Sequence, residues 1–342
     1  MNAPGPPKGG RRAASLLAVI TPAIAELTLG NPPLSRIWLM LLWIPIYGAG
    51  TVLIRELVRR RRRGASSILL LGLAYGIVEE GLVLQALTSP TMYGAAGWAP
   101  RFLGLNSAYA ELNLVYHAVF SVALPILLTD LAFPSLRDRP YLGRTGVVAA
   151  AVVFVLGGLL LRVTVATSVD PGYQAPLAVP AGCAAAVALL AVVALRVLPP
   201  TGSGAPIARA RSGTPAAVPR LWVAGGFGAA AGFGYLALLF PFGGAVQPAF
   251  THGGWVAAPM LGGAVVAVLA WWLTRRWTAS RGWTDRHSLC LAGGALVGHT
   301  AFGVVANAAT LADELELSAL GLVMVGLTGL LGRRLRAPMP GR

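Results

Sequence analysis

Glu79 and Glu80 stand side by side in the middle of ILLLGLAYGIVEEGLVLQAL, a stretch with no other charge. Insertion scales put one ionised side chain at the centre of a bilayer at about 2.5–3.5 kcal/mol, so two unpartnered carboxylates there would cost roughly 5–7 kcal/mol. Such groups persist only with partners, and the chain offers few. His117 lies in ELNLVYHAVFS, close to Glu111, Asn113 and Tyr116; His299 lies in LCLAGGALVGHTAFGVVANAA, ahead of Asn307; Glu26 follows a shorter apolar run. His252, in THGGW, reads as an external loop residue, and His287 flanks an arginine cluster.

Three chemistries suit these residue types. Glu80, His117 and His299 could ligate a divalent metal such as zinc while Glu79 takes a proton from metal-bound water, which makes all four a hydrolytic set. The spacing contains no HExxH, so the set is carried by residue type and depth alone. Alternatively the carboxylates load and release protons or cations to drive transport, with the histidines as relay or gate. In the third account the glutamates pair with Arg162 or a histidine, or stay protonated, and only fix helix packing. Adjacent helical residues point about 100° apart, so one carboxylate should face a polar site while the other engages a neighbouring helix. Gly72 and Gly76 would admit a second backbone there. Tyr75, one turn before Glu79, can donate to it, and Tyr75, Asn113, Glu26 and Asn307 are the expected supporting residues around the centre.

These residues need helices to position them, and composition supplies that expectation. Of 342 residues 56% are hydrophobic and 11% charged, with mean hydropathy +0.70, whereas soluble domains are about a quarter charged. Apolar runs at 13–29, 37–54, 68–87, 112–133, 145–167, 178–198, 221–240, 255–273, 288–308 and 317–331 predict an all-α polytopic transmembrane bundle of about ten spans. The first run, with Arg11, Arg12 and Ala23-Ile24-Ala25, also fits a secretory leader with an A-x-A site, but it continues apolar past Glu26, which favours a span.

The net charge of +15 and pI of 11.2 invite a nucleic-acid partner. The positions of the charges argue against it. Every second connection is basic: Lys8, Arg11 and Arg12; Arg55 and Arg59 to Arg63; Arg137, Arg139 and Arg144; Arg209, Arg211 and Arg220; Arg275, Arg276, Arg281 and Arg286; Arg333, Arg334 and Arg336. That alternation is the positive-inside pattern, so both termini are expected in the cytoplasm of a prokaryotic cell, with membrane lipids and no nucleic acid as partners. The linker PPTGSGAPIARARSGTPAAVPR at 199–220 divides a bundle of about six spans (13–198) from one of about four (221–332), between basic tails at 1–12 and 333–342. No repeat relates the two parts, which leaves an inverted-repeat transporter fold without direct support. Cys183 and Cys290 have no metal-ligand spacing and read as small buried thiols.

The stretches TPAIAELTLG, GAGTVLIRELVRR, GLAYGIVEEGL and VYHAVFSVALPILLTDLAFP resemble an uncharacterised family of prokaryotic multispanning membrane proteins. That likeness covers roughly the first 140 residues and implies a helical membrane bundle. A more distant similarity is to the CAAX-protease and bacteriocin-processing intramembrane proteases, whose helices carry EExxxR, FxxxH and HxxxN or HxxxD. It implies a metal-dependent protease. Glu79 and Glu80 match the opening pair, but Leu84 stands at the arginine position. Asn113 precedes His117 where Phe is expected, and His299 lies between Ala295 and Gly303, outside either pattern.

Overall fold

Long runs of Leu, Val and Ala with Arg at their ends form helices, because in a bilayer every backbone N–H and C=O must be satisfied within the segment. The computed structural model describes residues 7–97, 100–201, 217–240, 250 and 252–335. Most of the expected linker, with Arg209 and Arg211, and Arg336 in the last basic group lie outside the described residues. The fold is all-α. A helix α1 (Gly10–Pro22) continues as a π turn, Ala23–Leu27. Among the described residues nine further helices are long and apolar enough to cross a membrane: α2 (Leu34–Arg60), α3 (Ala65–Val83), α4 (Ser107–Ala132), α5 (Arg144–Val169), α6 (Ala178–Val197), α7 (Leu221–Leu239), α8 (Gly253–Thr278), α9 (Asp285–Ala306) and α10 (Leu311–Arg334). Two-residue strands, β1 (Arg101–Phe102) and β2 (Leu105–Asn106), form a small hairpin before α4.

Several helices outrun the apolar stretches that predict them. α2 and α10 continue through Arg59–Arg60 and Arg333–Arg334, since arginine is a good helix former and its charge suits a helix C-terminus. α9 and α10 begin earlier than hydropathy suggests because each starts at a capping box. Thr284 pairs with His287 (Oγ1 to Nδ1, 2.8 Å), and Thr310 pairs with Asp313 (Oγ1 to Oδ2, 2.8 Å). His287 and Asp313 are therefore helix-start residues as well as loop charges.

The chain divides into two compact units. The first comprises residues up to Ala25, Trp38–Thr201 and Pro241–Met260, and so contains α1, most of α2, and α3 to α6. Its centre is α3 and α4. In both, 61% of the most apolar window is buried, against 11% in α5 and α6, whose Val- and Leu-rich faces are left for lipid. α3 approaches α4 at Gly72, where an added Cβ would fall 2.7 Å from the Ala118 Cα, and α5 approaches α2 at Gly157, 2.6 Å from Pro45 Cβ.

Successive helices alternate in direction. The C-terminal ends of α2, α4 and α6 meet the N-terminal ends of α3 and α5 at one basic end of the unit. There Arg63 donates to the carbonyls of Leu195, Arg196 and Leu198, and Ser67 Oγ donates to Ala194 O at 2.7 Å. At the other end Arg162 donates to the carbonyls of Val83 (3.3 Å), Leu84 (3.2 Å) and Tyr173 (2.8 Å). Asp170 there accepts from Ser89 and Thr91, each at 2.5 Å.

The second unit comprises Glu26–Ile37, α7, α8 from Leu261, α9 and α10. Its α7 and α9 touch backbone to backbone through small residues. A Cβ at Gly294 would land on the Gly225 carbonyl, one at Gly298 on that of Ala229, and one at Gly228 on that of Leu291. Gly294→Val is therefore expected to force the helices apart and lower the thermal midpoint in detergent. Gly293→Val, whose nearest neighbour is Thr328 at 3.9 Å, should change it little. Equal midpoints for the two variants would remove this account of the α7–α9 seam.

Candidate functional site

The two glutamates sit in a π-helical turn of α3, Ile77–Val83, and the amide of Leu84 bonds back five residues to Glu79 O at 2.7 Å. His117 opens a second π turn, His117–Ala123, in α4, and Tyr47 lies in a third, Ile44–Gly48, in α2. Such turns are rare and concentrate at functional sites. A wider turn rotates successive side chains by less than an α-helix does. This is why the structure departs from the expected division of labour between the carboxylates: both reach one imidazole.

His117 Nε2 lies 3.1 Å from Glu80 Oε1, and Nδ1 lies 3.0 Å from Ser121 Oγ and 3.5 Å from Glu79 Oε2. The second oxygen of Glu80 accepts the Tyr109 hydroxyl at 2.9 Å. The rings of Tyr47, Tyr75 and Tyr116 lie 5.7–6.0 Å from the imidazole and wall the centre with aromatic surface. Glu79, Glu80 and His117 are each at most 4% exposed. Arg162, a sequence-level candidate partner, is turned instead to backbone carbonyls.

The remaining expected residues are placed differently. Tyr75 is buried beside Glu79 and edge-on to His117. Asn113 turns back on its own helix and donates to Tyr109 O at 3.1 Å, and Glu111 is half-buried. His299, Glu26 and Asn307 belong to the second unit. There the fully buried His299 meets Thr28 (Nδ1 to Oγ1, 3.2 Å), Glu26 accepts from Asn31 at 2.8 Å, and Asn307 donates to Leu29 O at 2.8 Å. Among the described residues no group of three or more His, Cys, Asp or Glu side chains is placed to hold a metal ion.

A second buried polar cluster, at the basic end of the first unit, escapes sequence reading. Arg55, fully buried, donates through Nε and Nη2 to Asp130 Oδ1 (2.9 and 2.8 Å) and through Nη2 and Nη1 to the carbonyls of Leu136, Arg137 and Arg139 (3.0–3.1 Å). Its guanidinium lies 3.2 Å from the centre of the Tyr141 ring. Asp130 also accepts from Arg59 (2.7 Å) and from the Tyr141 hydroxyl (2.9 Å), while Glu56 accepts from Arg60 (3.2 Å) and from the amides of Tyr141 and Leu142. Burial, and then the Asp130 carboxylate, hold the Tyr141 phenol above its ordinary range, so it remains a donor at neutral pH. The signal was the four-residue spacing Tyr47, Thr51, Arg55, Arg59 on α2, which forms a polar stripe; Thr51 donates to Ser121 O at 2.9 Å and joins the two clusters. On α4 the same spacing links Tyr109, Asn113, His117 and Ser121.

Fold and site together define a polytopic helical membrane protein with a carboxylate–imidazole–carboxylate centre buried among its spans. The chain belongs to an uncharacterized membrane protein family, whose model matches residues 15–312. No curated protein and no solved structure matches it.

Proposed function

We propose that the chain is a proton-translocating membrane transporter in which Glu79, His117 and Glu80 load and release protons. The observation that carries this is the imidazole held between two buried carboxylates, 3.1 Å from one and 3.5 Å from the other. With all three deprotonated the centre carries two negative charges, which low-dielectric surroundings oppose. Neutrality requires two protons distributed over three sites. One arrangement has both carboxyls protonated and the imidazole neutral; another has an imidazolium with one carboxylate and one carboxyl. Passing a proton along the Glu80–His117 contact interconverts them, and Ser121 on Nδ1 steadies the ring while it does so. The Tyr109 hydroxyl on Glu80 is a group through which the centre can exchange protons. The hydrolytic alternative needs His299 as a third ligand, and that ring is engaged by Thr28.

The alternating arginines support a topology with the basic ends and both termini in the cytoplasm, in a prokaryotic cell membrane. In proteoliposomes loaded with a pH indicator, an imposed membrane potential is expected to drive proton flux. Glu80→Gln should cut that flux by at least about tenfold while leaving the protein folded. Absence of flux in the unsubstituted protein, or an unchanged rate in folded Glu80→Gln, overturns the proposal. Stoichiometric divalent metal that disappears in His117→Ala would instead favour the hydrolase.

A further inference from the structure

We infer that the first unit carries a binding site for one anionic phospholipid, in a lateral groove between α1, α2 and α5 at the basic end. The groove is shallow and open, with a volume of about 400 Å³, and is walled mainly by small apolar side chains, among them Ala14 and Ala18 of α1, Ala49 of α2, and Ala150 and Val153 of α5. That volume falls within the range of ordinary ligand sites, ~300–1,000 Å³. In a chain that crosses the bilayer, a slot of mostly alanine and valine side chains opening sideways admits an acyl chain, because all its lining side chains but Arg11 and Ser15 are apolar.

Charge identifies the headgroup. Arg11 lines the groove directly, beside Leu142, whose carbonyl accepts from Arg60 at 2.6 Å. Arg144 opens the helix whose next turns form one wall. Most other arginines of this unit are already engaged: Arg55 and Arg59 by Asp130, Arg60 by Glu56, and Arg63, Arg101 and Arg162 by backbone carbonyls. Arg11, Arg12 and Arg144, like Arg61, Arg62, Arg139 and Arg196, are exposed and pair with no carboxylate of the described residues; of these Arg11 is the one that lines the groove. Positive-inside topology accounts for basic residues at this end; the position of Arg11 on the wall of an apolar slot adds a place for a headgroup beside an acyl chain. A guanidinium fork matches two phosphate oxygens. A zwitterionic headgroup offers the same phosphate with a cation attached, so selection should favour a headgroup with net negative charge, by about fivefold for each basic residue near the surface.

The full chain, purified in mild detergent and given equal amounts of phosphatidylglycerol and phosphatidylcholine, is expected to retain the anionic lipid at least about tenfold over the zwitterionic one in native mass spectra. Arg11→Gln should lower that ratio about fivefold with the thermal midpoint unchanged. Ala150→Trp, which fills the slot, should abolish retention of both lipids. Equal retention of the two lipids by the unsubstituted protein, or an unaltered ratio in Arg11→Gln, overturns the inference. Arg11 is exposed, so its substitution tests the site even where Ala150→Trp does not fold. None of these readouts depends on proton flux.

Discussion

Asp130→Ala is expected to be among the most damaging single substitutions in the first unit, costing about 3–5 kcal/mol. The carboxylate accepts from Arg55, Arg59 and Tyr141 at 2.7–2.9 Å in a place where Arg55 has no access to solvent. Truncation leaves Arg59 without its carboxylate and Arg55 with only Glu56, 4.0 Å away, and an under-compensated buried charge costs far more than the intact pair contributes. The midpoint of thermal unfolding in detergent should fall by on the order of 10 °C. Asp130→Asn keeps one acceptor oxygen and should fall between that variant and the unsubstituted protein. Arg55→Met with Asp130→Leu removes both charges, yet it should recover only part of the loss. Arg55 also satisfies the carbonyls of Leu136, Arg137 and Arg139, which an apolar side chain leaves unpaired. A midpoint within 2 °C of the unsubstituted protein for Asp130→Ala would show that the cluster does not clamp the 133–143 connection.

That cluster shows where sequence reading stops. Hydropathy and alternating arginines locate the helices, because bilayer thickness and charge translocation act on local composition. The same explanation absorbed Arg55, which looks topogenic like Arg59 to Arg63, and nothing in the local composition singles out Asp130. Depth along a helix axis is legible from orientation, so Glu79, Glu80 and His117 could be set at one level. The direction each residue faces around its helix is not legible without knowing which helices touch. His299 illustrates the difference: it had a plausible depth, and its observed partner is Thr28, a residue nothing in the sequence pairs with it. The π turns in α2, α3 and α4 have no compositional mark either, yet they bring two adjacent carboxylates onto one imidazole. The four-residue spacing of Tyr109, His117 and Ser121 was visible, but similar spacings recur in any helix of this length.

His117→Ala should abolish proton flux, and its effect on stability should reveal how the centre holds its charge. Removing the ring takes the partner from Glu80 Oε1 and the nearest positive group from Glu79 Oε2, while both carboxyls stay sealed behind Tyr47, Tyr75 and Tyr116. A buried acceptor left unpaired costs about 1–3 kcal/mol, and more if charged. Glu80→Gln alone preserves an acceptor for Tyr109 and changes only the charge, so its cost should be smaller. In the double variant the unpaired carboxylate is gone, and the loss caused by His117→Ala should be partly relieved. The non-additivity should reach about 1–3 kcal/mol, the range for residues in one hydrogen-bonded network. Independent sites would give strictly additive midpoint changes. Additivity together with undiminished flux in His117→Ala would mean that the imidazole neither balances nor moves the protons of Glu79 and Glu80.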